Sequence, residues 1–592
     1  MKKITILLMA LVVMGSCKEE SKKEEMPTHN AEFEALLNNY YEDGLKLNPI
    51  TATLAGDHRY DDSFPNLLSD AYQAEKKAYY ESYKSKLSEF PDESLTESEQ
   101  MSKAILAWEC DINLAEFDYN ADLTPIDQMW SENLFMGQLA SGASAQPFET
   151  VEDYQKWMKR VDGYLEWLSS TEDNMKEGME KGYVLPKSLI VKVLPQLESQ
   201  MEENVEEHLF YSPIKNMPAD FTDEEKAMLT EAYTDMITHK IVPAYTKLHT
   251  FMSGEYLDAG RESSGIQGEP NGDAYYAHQI KKYTTTNMTA AEIHQLGLSE
   301  VARIRSEMEK IKEEVGFEGD LKAFFDFVRG NEELMPFTEP EQVIAHFNEI
   351  HERMKPQLEK LFDNKPKTPF VVRRTEAFRE NSASAEYNPG SLDGTRPGVF
   401  YVPIPDVTHY NIYSDESLFL HEAIPGHHYQ TSLTQENEEL PQFRKTLWYS
   451  GYGEGWALYA ESLGKELGLY TDPYQYFGML GAEMHRAVRL VVDTGLHSKG
   501  WTREEAIQYS LDNEAESEAS IIAEIERYMA NPGQALSYKI GQLKIRELRK
   551  KATATLGDKF NIGKFHNQVL ETGCVPLALL EDKIDNWIEA SK

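Results

Sequence analysis

Helix-opening signals recur along most of this chain and constrain its fold more than any other feature. Four segments begin with a threonine that is followed three residues later by a glutamate, at Thr96, Thr222, Thr289 and Thr502. In such a capping box the threonine hydroxyl accepts from a backbone N–H of the first turn, and the glutamate accepts from the threonine N–H. Apolar residues then recur at helical spacing, as in residues 293–315. The sequence therefore predicts a mainly α protein with a large multi-helix body.

Segments typical of β-strands are scarce. The best cases are residues 369–374 and 398–405, which flank a loop rich in glycine and proline. We expect a small β-sheet here, and a free edge of the second strand would let an extended peptide pair with it. Arg396 in the loop and Tyr401 in the strand are therefore candidate substrate-binding residues.

Length and charge restrict the domain organisation and the partners. The chain has 592 residues and a formal net charge of −41, which argues against nucleic acid and anionic membrane surfaces as partners. A stretch rich in Gly, Ser and charge, residues 257–276, is the best internal boundary. It predicts an N-terminal helical region, 31–265, and a C-terminal catalytic region, 266–592, or one continuous domain. We expect a monomer or a weak dimer.

The N-terminus has the features of an exported, lipid-anchored protein. Residues 1–16 combine two lysines, a short apolar run and small residues, and Cys17 follows. This resembles a bacterial lipoprotein signal peptide with Cys17 as the lipidated residue, and residues 17–30 form a charged, flexible tether. We expect an outer-membrane lipoprotein of the cell envelope, and the acidic tether resembles a signal for export to the cell surface.

The stretch HEAIPGHHYQ, which begins at His421, is close to the zinc-peptidase motif H-E-x-x-H but departs from it. On a straight helix His427 would be turned about 600° from His421, and His428 would lie roughly 10.5 Å further along the axis, so neither could share an ion with it. Pro425 and Gly426 can interrupt the helix. The motif then reads as H-E-x-x-H with two extra residues looped out, and spacing does not decide between the two later histidines.

A third ligand is expected downstream, and an acidic residue is the usual choice. Glu454 stands between two glycines near a predicted helix start, and Glu461 follows seven residues later. Glu461 would either support a metal ligand or pair with Lys465 on the next turn. The alternative for the whole cluster is a set of solvated surface residues without a metal.

A polar row in apolar sequence also suggests site residues. Arg489, Asp493 and His497 follow one another at i+4 spacing. Such a row usually forms a satisfied internal network. The other interpretation is that His497 helps to orient metal ligands or the reacting carbonyl.

A second group of candidates surrounds a Pro-Gly pair near residue 532. Tyr538 would donate a hydrogen bond to a developing oxyanion, and Arg527 with Tyr528 would bind substrate, the arginine through a carboxylate. Ordinary packing of buried tyrosines is the alternative.

Long blocks of the sequence resemble a known family. The segments NPGSLDGTRPGVFYV, HEAIPGHHYQ, GEGWALYAE and NPGQALSYKIG are similar, in this order, to signature blocks of domain-of-unknown-function family 885, and the resemblance covers residues 31–589. It implies a helical body with a gluzincin-like zinc helix beside the small sheet. It also implies that His421, His427 and Glu454 bind Zn²⁺ and that Glu422 is the general base.

These observations predict a zinc-dependent peptidase that hydrolyses short peptides at the cell surface. Glu422 would take a proton from the attacking water, and Tyr538 or His497 would stabilise the oxyanion. The alternative is a non-catalytic surface lipoprotein that binds nutrients, either peptide or glycan. The combination of His421, Glu422, His427 and Glu454 favours the enzyme.

Overall fold

The computed structural model describes residues 29–376, 380, 383–391 and 396–592. The predicted signal peptide, Cys17 and all but the last two residues of the predicted tether lie outside these residues. Within them the chain is mainly helical with one small three-stranded sheet, so this part of the predicted fold class is confirmed. None of the described helices is both long and apolar enough to span a lipid bilayer.

Helices follow one another along the chain, and the strands interrupt them once. The α-helices of the described residues are Ala31–Leu47 (α1), Pro49–Leu54 (α2), Asp70–Leu87 (α3), Glu97–Glu116 (α4), Glu132–Ala140 (α5), Val151–Lys181 (α6), Lys187–Glu198 (α7), Ser212–Lys215 (α8), Asp223–Met236 (α9), Val242–Phe251 (α10), Leu257–Ala259 (α11), Gly272–Thr284 (α12), Ala290–Glu314 (α13), Leu321–Gly330 (α14), Pro340–Leu361 (α15), Asp415–Glu422 (α16), His427–Glu436 (α17), Gln442–Thr446 (α18), Ser450–Glu461 (α19), Pro473–Ser498 (α20), Arg503–Asn513 (α21), Glu518–Ala530 (α22), Ser537–Leu556 (α23), Ile562–Leu570 (α24) and Leu577–Ser591 (α25). The strands are Phe370–Arg374 (β1), Glu386–Asn388 (β2) and Gly398–Val402 (β3).

The predicted capping boxes begin four of these helices. Thr96, Thr222, Thr289 and Thr502 each accept a hydrogen bond from the glutamate N–H three residues later, and the glutamate side chain accepts from the threonine N–H. Each box satisfies two backbone donors that would otherwise have no partner at a helix start. These four predictions are confirmed.

Apolar side chains collect in two hydrophobic cores. The first joins side chains from residues 33–110 with side chains from residues 266–588 and also includes Leu189. The second consists of Phe64 and of side chains from residues 126–256. Helices α1, α3 and α4 therefore share a core with the C-terminal helices. The division into regions 31–265 and 266–592 stays a prediction about domains.

The sheet has the strand order β1–β3–β2, with β3 parallel to β1 and antiparallel to β2. Phe400 of β3 is buried, and its ring centroid lies 6.5 Å from that of Phe419 on α16. The sheet thus packs beside the first helix of the HEAIPGHHYQ stretch. The prediction that β3 offers a free edge to a peptide is wrong, because β3 is the central strand and has partners on both sides.

Close helix packing fixes the position of α19. A Cβ atom placed on Gly541 of α23 would lie 1.8 Å from the carbonyl oxygen of Gly451, and one on Gly455 would lie 2.5 Å from the Gly541 Cα. Only glycine permits such an approach of two backbones. Glu454 therefore lies on a helix whose backbone packs directly against that of α23.

Candidate metal centre

The helix that carries His421 and Glu422 is interrupted directly after this pair, as the sequence predicts. Helix α16 ends at Glu422 and α17 begins at His427, and between them the Ile424–Pro425 peptide bond is cis. Gly426 has non-helical backbone angles, with φ −74° and ψ −127°. A Cβ atom on Gly426 would lie 1.9 Å from the carbonyl oxygen of His421. The tight passage of the chain here therefore requires glycine.

This interruption brings three candidate ligands together. The Nε2 atoms of His421 and His427 each lie 3.6 Å from Oε2 of Glu454. One ligand atom from each of the three residues lies within 4.8 Å of the other two. Two imidazole nitrogens and a carboxylate form a donor set that suits zinc, and three protein ligands are usual where zinc is catalytic. The residues present fit a metal ion.

A second carboxylate, that of Glu461, contacts His421 through the ring nitrogen that does not face Glu454. Nδ1 of His421 lies 2.7 Å from Oε1 of Glu461, and the Ser417 hydroxyl donates to the other oxygen of Glu461 at 2.7 Å. Burial alone would lower the pKa of His421, but hydrogen bonds to Glu454 and Glu461 raise it to about 10. With Nδ1 donating to Glu461, Nε2 is directed toward His427 and Glu454. These two residues and His421 form the metal group. The sequence predicts two roles for Glu461, support of a metal ligand or pairing with Lys465. The structure shows the first contact, because Glu461 binds the candidate ligand His421.

Glu454 is kept ionised by its surroundings. Burial would raise the pKa of its carboxyl, but the charges of His427 and His421 hold that pKa well below its usual range. The indole of Trp456, two residues further along α19, donates to the carbonyl oxygen of Pro425 at 2.8 Å. The helix that carries Glu454 is thus tied directly to the interruption between α16 and α17.

Glu422 lies beside the candidate ligands. Its Oε1 atom is 4.0 Å from Nε2 of His421, and the residue is 9% exposed. Burial raises the pKa of the Glu422 carboxyl, and the nearby cations, including Arg486, act in the opposite direction. A carboxylate in this position can exchange a proton with a water molecule at the metal group.

His428 faces away from this group. Its Nδ1 atom lies 2.9 Å from the hydroxyl of Tyr387 on β2 and 3.3 Å from the hydroxyl of Ser432. Burial lowers the pKa of His428 to about 4. The structure therefore brings His427, and not His428, together with Glu454.

Tyr538 lies close to the group, at the start of α23. Burial and the charge of Glu454 raise the pKa of its phenol, while Arg489 acts against that rise. The guanidinium of Arg489 lies 4.6 Å from the centre of the Tyr538 ring. Tyr538 is thus a protonated hydroxyl at neutral pH, held in place by a cation stacked on its ring.

His497 belongs to an internal network. Its Nδ1 atom accepts from the N–H of Ile266 at 2.9 Å, and its Nε2 atom lies 3.0 Å from the carbonyl oxygen of Tyr528. Burial lowers the pKa of His497 to about 3. Both ring nitrogens are used, so this histidine has none left for an oxyanion.

Arg527 and Tyr528 form part of an ion network around Glu524. Arg527 donates to both carboxylate oxygens of Glu524 at 3.0 Å and to Gln534. The Tyr528 hydroxyl donates to Glu524 at 2.6 Å and accepts from Arg489 at 2.9 Å. The guanidinium of Arg527 is therefore engaged within the protein.

The two candidates near the sheet lie apart from this network. Tyr401 is on β3, opposite Arg373 and Glu386 in the strand register. Arg396 is exposed, and its backbone N–H donates to Ser391. Its charge acts on the phenol of Tyr387, which contacts His428. Their substrate-binding role stays a prediction.

Two residues near the group have no counterpart in the sequence interpretation. Trp448 is 51% exposed, and its ring centroid lies 5.8 Å from that of His427. Arg486 lies on α20, and its positive charge acts to lower the pKa of the Glu422 carboxyl. The available sequence signal for the first was a tryptophan shortly before GEGW. Arg486 gave none, because it falls outside the i+4 row formed by Arg489, Asp493 and His497.

The fold and the group of two histidines and a glutamate define a mainly helical protein with a candidate metal centre. The chain belongs to the family described as "Bacterial protein of unknown function (DUF885)", whose model matches residues 49–584. No curated protein matches it.

Two solved structures have the same architecture. One, from Colwellia psychrerythraea, has a TM-score of 0.86 and 27% sequence identity, covering 94% of this chain and 99% of the other. The second, from Shewanella oneidensis, has a TM-score of 0.75 and 19% identity, covering 93% and 99%. Both are described as a "putative lipoprotein", the second as one "of unknown function".

Proposed function

We propose that this protein is a zinc-dependent peptidase of the cell envelope that hydrolyses short peptides. The observation that carries the proposal is the convergence of His421, His427 and Glu454, with Glu422 beside them and Glu461 behind His421. A structural turn needs no such set of two imidazoles and three carboxylates. Zinc, when bound there, would act as a Lewis acid and make water nucleophilic near neutral pH.

The protein's own groups would move the protons. Glu422 takes a proton from the attacking water and returns it to the leaving amine. Tyr538, whose raised pKa keeps its hydroxyl protonated, donates a hydrogen bond to the oxygen on which negative charge develops. Glu461 fixes the orientation of His421 throughout.

The proposed location follows from the N-terminal sequence and from the relatives. Lipidation of Cys17 would anchor the protein to the outer membrane, exposed at the cell surface, and leave the folded part in water. The description of both similar structures as lipoproteins supports this.

Metal content and turnover test the function together. We expect about one zinc per chain by elemental analysis of the wild type, loss of it in His427→Ala, and retention in His428→Ala. Glu422→Gln should keep the metal and lower peptide hydrolysis by about 10²- to 10⁴-fold. Retained activity in Glu422→Gln would remove Glu422 from the mechanism. A wild type that binds no metal after reconstitution would favour the nutrient-binding alternative.

A further inference from the structure

Arg486 lies in a row of three charged residues on α20. Glu483, Arg486 and Arg489 follow at spacings of three, so Arg486 is the neighbour of each of the other two on the helix surface. The two outer members are tied to the start of α23. Glu483 accepts from Nζ of Lys539 at 2.7 Å, and the Arg489 guanidinium lies against the Tyr538 ring. Arg486 lies between these two residues on α20, and its charge acts on the carboxyl of Glu422.

Among the described residues, no carboxylate lies within ion-pair distance of Arg486. Its only hydrogen bond with these residues runs from Nη1 to the carbonyl oxygen of Ala482, at 3.3 Å. Its Nε atom is buried and has no partner among them. Two nearby arginines, Arg489 and Arg527, both bind Glu524, and Arg303 and Arg546 both bind Glu483. The chain has 100 acidic residues against 59 lysines and arginines, so an unpaired arginine is not explained by a shortage of carboxylates.

A buried donor without a partner is costly unless something else binds it. The planar guanidinium matches a carboxylate in two parallel hydrogen bonds. Arg489 also has a buried nitrogen, Nη1, without a partner, but Glu524 compensates its charge. Arg486 is therefore a cation near Glu422 whose charge no carboxylate of the described residues compensates, so it is left for a ligand.

We propose that Arg486 binds the free α-carboxylate of a peptide substrate, so that the enzyme removes residues from the C-terminal end of short peptides. This rests on the proposed peptidase function. Water adds to the scissile carbonyl carbon and the C–N bond breaks. One proton of the water passes through Glu422 to the leaving nitrogen, and the second passes from the new carboxyl group to the same amine, so that the remaining peptide ends in a carboxylate and the fragment in an ammonium group. Arg486 holds the original carboxylate of the fragment until the fragment dissociates.

Pairs of peptides that differ only at the C-terminus test the proposal. Each peptide of an N-blocked tripeptide set is prepared as the free acid and as the C-terminal amide, and kcat/KM is measured for the zinc-loaded wild type, Arg486→Gln and Arg486→Lys. Arg305→Gln is the matched control, because Arg305 is exposed on α13 and binds Asp512 and Asn513.

We expect the wild type to prefer the free acid by about 10- to 100-fold, the value of hydrogen bonds to a charged partner. Arg486→Gln should lose this preference by losing activity on the acid alone, Arg486→Lys should keep part of it, and Arg305→Gln should match the wild type. Equal hydrolysis of acid and amide by the wild type overturns the proposal. An equal loss on both forms in a folded, zinc-loaded Arg486→Gln overturns it too. If Arg486→Gln does not fold, the proposal is judged by the ratio of kcat/KM for the free acid to kcat/KM for the amide, measured for the wild type and for Arg486→Lys.

Failure of the peptidase function gives a different result. In that case the zinc-loaded wild type cleaves neither member of any pair. The carboxylate site is then judged by calorimetric titration of the same peptides. Tighter binding of the free acid that is lost in Arg486→Gln supports the site, and equal binding of acid and amide rules it out.

Discussion

The imidazole of His421 and the carboxylate of Glu461 form a buried pair, with 2.7 Å between Nδ1 and Oε1. The two residues come from different helices, α16 and α19, and the second also carries Glu454. The contact therefore sets the ring orientation of one candidate ligand from the helix that supplies another. The metal group depends on the packing of these two helices.

Replacing Glu461 with glutamine should weaken zinc binding by about 10- to 100-fold, because such carboxylates orient the histidine and raise its basicity. The measurement is a competition for zinc with a fluorescent chelator. Glu466→Gln is the control, since Glu466 binds Arg549 at the surface. An unchanged affinity in Glu461→Gln would contradict the orienting role.

Gly426→Ala should damage both stability and metal binding. Its Cβ would meet the His421 carbonyl oxygen at 1.9 Å, so the backbone must move. We expect a loss of about 1–3 kcal/mol in the free energy of unfolding, together with a lower zinc content. Gly481→Ala on α20 is the matched control, because its Cβ meets nothing within 4 Å. It should gain about 0.5–1 kcal/mol, as expected for alanine in a helix. Equal stability of the two variants would show that the interruption tolerates a side chain.

The ion pair of Glu116 with Lys282 should stabilise the protein in a pH-dependent way. Burial would raise the pKa of Glu116, but His278 and Lys282 lower it from 4.5 to about 2. The stabilisation is therefore complete above pH 4.5 and is lost as the pH falls toward 2. Glu116→Gln should lower the free energy of unfolding by about 2–3 kcal/mol at pH 7. Denaturant unfolding at several pH values should show this difference shrinking below pH 4.5. A difference that stays constant down to pH 3 would contradict the assignment.

Much of the helical body can be read from local sequence because capping boxes act over four residues. The interruption at Pro425 and Gly426 is predictable for the same reason. The choice between His427 and His428 is not, because it depends on the backbone angles within the interruption. Spacing along an ideal helix does not contain that information.

Features that depend on residues distant in the sequence could not be predicted for a related reason. The pattern of β3 predicts a strand but not its neighbours, and β2 covers the edge that was expected to be free. His497 has the residue type of an oxyanion donor, yet both its nitrogens are taken by groups distant in sequence. Arg486 shows the opposite case, because the absence of a carboxylate partner among the residues that the structure describes becomes visible only in three dimensions.

The first core has a consequence for how the protein is made. It contains both Phe33 on α1 and Ile588 on α25. A ribosome releases the chain from its N-terminal end, so this core lacks part of its apolar side chains until α25 has been synthesised. His421, His427 and Glu454 are made earlier, and Phe419 and Trp456 of their helices belong to the same core. A growing chain thus contains the three candidate ligands before that core is complete, so we expect the candidate metal centre to form only after the whole chain has been made.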